Sequence, residues 1–129
     1  MISSNNDFDF LEVQDLIEIG SQLISDFRIR DLGLLVSAAA RPRTTVFGAD
    51  AYPTFGEKAA ALMHSLGRNH ALIDGNKRIA WSATRVFCLL NGFDITLSAD
   101  AAYEIVIDVA TGVLNIQGLA IALNIAKIN

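Results

Sequence analysis

The sequence is poor in several things at once, and each shortage narrows what it can be. It has one cysteine, Cys88, so no disulfide can close within the chain. Cys88 lies in the apolar run Val86-Phe87-Cys88-Leu89-Leu90, where a packed thiol is expected. No apolar run approaches the roughly 18 residues that a membrane span needs. The opening Met1-Ile2-Ser3-Ser4-Asn5-Asn6-Asp7 lacks the basic region and apolar stretch of a signal peptide. A cytoplasmic location away from membranes is therefore expected. Lysine and arginine are also scarce, 10 against 14 acidic residues for a net charge of −4. That balance argues against direct nucleic-acid binding, which rests mainly on basic surface. Repeats, linkers and low-complexity tracts are missing too. What is there is apolar: 52% of 129 residues, enough for one buried core, so a single domain over 1–129 is expected.

The few cations are unevenly spread. Arg68, Lys77, Arg78 and Arg85 fall in one stretch with a single acid, Asp74. An acidic chain with one basic segment points to a local anion site.

The periodicity predicts an almost wholly helical chain. A first helix is expected from Asp9 to about Ser21, with Asp9 and Glu12 acidic in its first turn. Asp31 caps a second, Leu32 to Ala40, which ends at Arg41-Pro42 because proline disfavours the α conformation before it. Arg43 to Pro53 reads as a short hairpin or flap, from its β-branched and aromatic residues with Gly48 and Pro53. Thr54 and Glu57 form a capping box for a third helix to about Asn69. A fourth is expected from Asn76 to Leu90, stopping at Asn91-Gly92. Ala101 to Ala110 and Ile116 to about Ile125 complete the set.

The chemistry concentrates between the third and fourth helices. Gly75 permits a positive-φ bend. Asn76, Lys77 and Arg78 then open a helix, whose free N–H groups and positive dipole end favour a phosphate. Lys77 and Arg78 add full charges, and arginine can grip phosphate oxygens in a fork. Asp74 is a hard oxygen ligand suited to Mg2+ that already bridges nucleotide phosphates. His70 can take a proton from an attacking hydroxyl. Base, metal ligand and anion cradle together make a set suited to phosphoryl transfer, where positioning and charge neutralisation do most of the catalysis. Each part alone has an ordinary reading: a helix-end histidine usually bonds structure, Asp-Gly-Asn is a common turn, and Lys-Arg at a helix start is usually solvated. Their combination does not by itself name a reaction.

The stretch His70-Ala71-Leu72-Ile73-Asp74-Gly75-Asn76-Lys77-Arg78 resembles the Fic/Doc signature, His-x-Phe-x-(Asp/Glu)-(Gly/Ala)-Asn-(Gly/Lys)-Arg. Arg30-Asp31-Leu32-Gly33-Leu34-Leu35, Arg41-Pro42, Tyr52-Pro53-Thr54 and Glu57-Lys58-Ala59-Ala60 are similar to the Doc, or death-on-curing, branch. The resemblance covers about Arg30 to Asn91 closely. It implies an all-α, Fic-type helical bundle with a short β-hairpin flap along the protein-substrate groove.

Two departures bear on the activity that the resemblance implies. Leu72 stands where the family usually has an aromatic, and is expected to anchor the loop in the core. Adenylylating members have glycine at the position of Lys77 and a second arginine at that of Trp81, which is expected in the core here. Doc-type members carry the lysine and bind the nucleotide reversed, delivering its γ-phosphate. The resemblance thus implies a protein kinase and toxin of a toxin–antitoxin pair, using ATP and Mg2+ on a hydroxyl of a translation factor, elongation factor Tu in the family's known case. His70 would be the base, Asp74 the Mg2+ ligand, and Gly75, Asn76, Lys77 and Arg78 the phosphate cradle. Arg68 would assist, and Ser82, one turn on from Arg78, is either a nucleotide contact or a packing residue. His64 points to another side of its helix and is expected to be incidental. Arg41 and Arg43 would meet an acidic partner or only water. The implied partner is an antitoxin whose disordered segment folds into a groove on the toxin. An AMP transferase and a non-catalytic interaction module stay open as alternatives.

Overall fold

Helix α1 (Val13–Leu23) starts later than its acidic lead-in suggests. The computed structural model describes residues 8–128, and in it Asp9 belongs to a non-helical segment. Its N–H donates to Asn91 Oδ1 at 2.7 Å and its carbonyl accepts from Asn91 Nδ2 at 2.9 Å. The helix begins only where Asp15 can accept from the Glu12 N–H, at 2.8 Å. Helix α2 (Leu32–Ala40) has the expected bounds, because Asp31 Oδ1 accepts from the Leu34 N–H and a 3₁₀ turn at Arg41–Arg43 takes over at the proline.

The flap is the hairpin β1 (Thr45–Val46) and β2 (Ala49–Asp50), closed by Phe47 and Gly48 at φ 52° and 80°. Two positive φ values make the turn follow the twist of its strands. Helix α3 (Phe55–Asn69) starts at the Thr54–Glu57 capping box, and α4 (Asn76–Leu90) ends before Gly92, whose φ is 82°. A second antiparallel pair, unexpected from the sequence, joins β3 (Phe93–Ile95) to β4 (Ile125–Lys127). Between them lie α5 (Ala99–Ala110), begun by the Ser98 cap, and α6 (Ile116–Ala122). Helix α6 stops short of Ile125 because Asn124 takes φ 49° and turns the chain back to pair with β3.

Among the described residues the architecture is all-α, six helices with the hairpin appended. Helix α3 is its axis: it touches α2, α4, α5 and α6, and Ala59, Ala60, Ala61, Leu62, Met63 and Leu66 are buried along it. The alanines let neighbours approach, and Gly67 does the same for α5, since a Cβ there would come 2.9 Å from Val109 Cγ1. Aromatics close the other end, with Phe55 stacked on Phe93 at 4.3 Å between centroids and 4.9 Å from Phe87. Cys88 is buried as expected, and desolvation pushes its thiol up to about 12.

Candidate active site at the α3–α4 junction

The site is made by the way α3 ends. His70 closes the helix in the left-handed region, φ 52° and ψ 49°, which a residue with a Cβ adopts only when its surroundings hold it there. Arg30 is the holder. Its Nε donates to the His70 carbonyl at 2.7 Å and its terminal nitrogen to the Asn69 carbonyl at 3.3 Å, satisfying acceptors that a helix end leaves bare. The backbone then pairs with the same segment. Arg30 and Asp31 N–H groups donate to the Ala71 carbonyl, Ile73 N–H to that of Arg28, and Ile29 bridges Leu72.

Asn76 clamps the loop from the other side. Its Oδ1 accepts from the Leu72 N–H and its Nδ2 donates to the Leu72 carbonyl, both at 3.0 Å. Leu72 itself is 1% exposed and sits in the core where the family's aromatic would be. Gly75, at φ 89°, leads into α4, and any Cβ on it would lie 2.3 Å from Ile24 Cδ1. Glycine is required there for conformation and for space.

These constraints leave His70, Asp74, Gly75, Asn76, Lys77 and Arg78 lining one cavity of about 720 Å³. Helix α4 opens into it with no side-chain cap, so the first-turn N–H groups are free to meet an anion. Lys77 and Arg78 are exposed, and neither pairs with a carboxylate among the described residues. Asp74 Oδ1 accepts from the Gly75 N–H at 2.9 Å, which leaves its second oxygen for a cation. No three His, Cys, Asp or Glu side chains converge to hold a metal among the described residues. One carboxylate is nevertheless what Mg2+ arriving with nucleotide phosphates commonly uses. The opposite wall comes from α5, with Ala102, Tyr103, Val106 and Ile107, and from Trp81, which is half-buried, packed against the core and open to the cavity on its other side.

Two of the residues singled out from the sequence are not on that wall. Arg68 turns the other way and donates to the Ala110 carbonyl at 2.8 Å, its guanidinium lying over Gly112. It shares a smaller hollow of about 500 Å³ with His64, whose pKa is lowered by burial first and then by Arg41 and Arg68. Ser82 is half-buried and also absent from the cavity lining. Arg41 bonds Tyr52 Oη and Ser65 Oγ, and Arg43 pairs with Glu12 of the same chain.

Sequence reasoning missed the positioning side chains. Arg30 stood out only as part of a resemblance, since an arginine before a helix cap carries no local signal for a partner forty positions on. Lys58 is fully buried, donating to Asp50 Oδ2 at 3.1 Å and to the Tyr52 carbonyl at 2.6 Å, and so ties the flap to α3. Its signal was a lysine on the alanine-lined face of that helix.

No helix among the described residues is long and apolar enough to cross a membrane. The family model described as Fic/DOC family matches residues 10–88 of this chain. A curated relative, Toxin Doc of Mycolicibacterium smegmatis (strain ATCC 700084 / mc(2)155), is 43% identical over 115 residues, which covers 87% of this chain and 88% of the relative.

Proposed function

The chain belongs to the Fic/DOC family, and on that premise we propose that it is a Doc-like toxin, a protein kinase that moves the γ-phosphate of ATP to a protein hydroxyl. The observation that carries this reading is the convergence of an exposed histidine, a half-free carboxylate and two unpaired cations on an uncapped helix start. His70 takes the proton as the substrate's hydroxyl oxygen attacks the γ-phosphorus, and the bond to the β-bridging oxygen breaks to leave ADP. The exposed imidazole then returns its proton to solvent. Lys77, Arg78 and the first-turn N–H groups of α4 neutralise the charge on the phosphates. Asp74 would hold Mg2+, which supplies further charge neutralisation on the nucleotide. The side chain of Asn76 acts by fixing the loop, because its amide is already engaged.

Lys77 and Trp81 favour phosphate over AMP transfer. The first fills a position that is glycine in adenylylating members, and the second leaves no cation where those have a second arginine. The relative's name, Toxin Doc, supports a toxin with a cognate antitoxin as partner. A cytoplasmic translation factor, elongation factor Tu by resemblance, is the proposed target.

The test is incubation of purified elongation factor Tu with the protein, Mg2+ and ATP labelled at the γ or the α position. Transfer of γ label is expected. Transfer of α label would make the protein an AMP transferase. If neither label moves although ATP-Mg binds, the site is a non-catalytic interaction module for that target.

A further inference from the structure

The smaller hollow shares no lining residue with the cavity at the α3–α4 junction. It is lined by His64 and Arg68 of α3 and by Gly112, Val113, Leu114 and Asn115 of the turn between α5 and α6. His64 and Arg68 are four apart and so share one helix face. Three side chains bring unused donors to it. Arg68 is pinned by its bond to the Ala110 carbonyl and lies over Gly112, where a Cβ would come 3.2 Å from Nη1. Its Nε and Nη2 have no partner among the described residues. Asn115 Oδ1 accepts from the Gly118 N–H at 2.7 Å as the cap of α6, so Nδ2 is left to donate. His64 is half-buried, yet neither ring nitrogen is hydrogen-bonded among the described residues.

No carboxylate lines the hollow, and neither Arg68 nor Arg41 is in an ion pair among the described residues. Arg41 does not line it but, bonded to Ser65 beside His64, adds its charge to the same place. The charges that act on His64 are thus both positive, and with burial they lower its pKa. Free donors in an unopposed positive field suit a ligand that only accepts. We infer that this hollow is a second oxyanion site, which holds a phosphate group between the Arg68 fork, the His64 imidazole and the Asn115 amide. A phosphate presents oxygens in several directions and about −1.5 to −2 charge near neutrality, whereas a carboxylate has two oxygens in one plane and a single charge. Val113, 71% exposed, and Leu114 give the hollow an apolar side for the organic part of an ester. The site stands independently of the nucleotide reading proposed above.

The chain has two histidines, so their imidazole NMR signals report the two cavities separately, with His64→Gln giving the assignment. The probes are inorganic phosphate, phenyl phosphate, sulfate and acetate, each compared with sodium chloride at equal ionic strength. Phosphate should shift the His64 signal of the parent saturably. Asn115→Asp keeps an acceptor for the α6 cap but replaces the free donor by negative charge. It should weaken phosphate binding at His64 about tenfold or more and leave the His70 response parental. Arg68→Gln should weaken it by at least as much, with a melting curve to verify the fold. Sulfate, whose own charge is constant in this range, should raise the midpoint of the His64 titration toward or above 6.5. Tighter binding of phenyl phosphate than of inorganic phosphate assigns the hollow to a phosphate ester, and equal binding assigns it to the free ion; both support the site. A His64 signal that phosphate moves no further than chloride does, or equal phosphate affinity in the parent and Asn115→Asp, overturns it. Acetate binding as tightly as phosphate overturns the choice of phosphate, and an unchanged His64 midpoint in sulfate removes the imidazole from the site.

Discussion

Asn76 illustrates how residue type and residue role part company. An asparagine after Asp-Gly looks equally able to touch a ligand or to hold a turn, and its amide here closes on both polar atoms of Leu72. Replacing it by alanine strands two backbone groups of a residue 1% exposed, at a cost of about 1–3 kcal/mol. Asn76→Ala should accordingly lower the thermal midpoint even without nucleotide. His70→Ala should behave in the opposite way. The imidazole is exposed, so the melting curve should stay near the parent's while transfer to the target falls roughly 10²- to 10⁴-fold. A normal transfer rate in that variant would remove His70 as the base. The residues of the signature were legible because their chemistry is a property of type. The direction taken by Arg68 was not, because it depends on a carbonyl at Ala110 that only the packed helices bring near.

Among the elements, helices with caps written into the sequence were read closely: Asp31 for α2 and the Thr54–Glu57 box for α3. The strands β3 and β4 were not, since each has three residues and the pairing joins segments separated by two helices. Periodicity needs a longer window than that. The flap was recognised as a hairpin, but its anchor was hidden. Lys58 is 0% exposed and Asp50 13% at the side chain, so each needs the other to remain charged at low cost. Asp50→Ala alone should destabilise the fold, because it removes a carboxylate that a buried ammonium bonds. Combining it with Lys58→Met, which keeps the volume and removes the charge, should recover much of that loss. Denaturant midpoints of the two single variants and the double one form the cycle that checks it, and additive losses would refute the coupling.

At the scale of the whole molecule, acid should weaken the fold in two separate windows. Burial, then Arg41 and Arg68, lower the His64 pKa from 6.5, so the unfolded chain binds this proton more readily than the folded one. That contribution is complete above about 6.5 and is lost as pH falls through it toward the lower folded value. The Arg85 hydrogen bond lowers Asp94 from 3.8, and its contribution is lost only below that value. Unfolding free energies measured against pH should show the upper step in the parent and not in His64→Gln, with the lower step in both. Net charge and the helical class were evident from composition and pattern. The ties that close the molecule were not, because Arg30 with His70 and Asp9 with Asn91 join positions far apart in sequence. Those ties have a consequence in time. The loop carrying His70 is irregular chain, yet the N–H groups of Arg30, Asp31 and Ile73 are hydrogen-bonded across it, so its opening is expected to follow that of the packed molecule rather than to run separately. In hydrogen exchange these amides should be among the slowest outside the helices, with rates that follow global unfolding as denaturant rises. If the site works as proposed, it needs no ordering step beyond folding itself. Silencing it is then a matter of obstruction by another molecule, since loosening the loop would mean dismantling the protein.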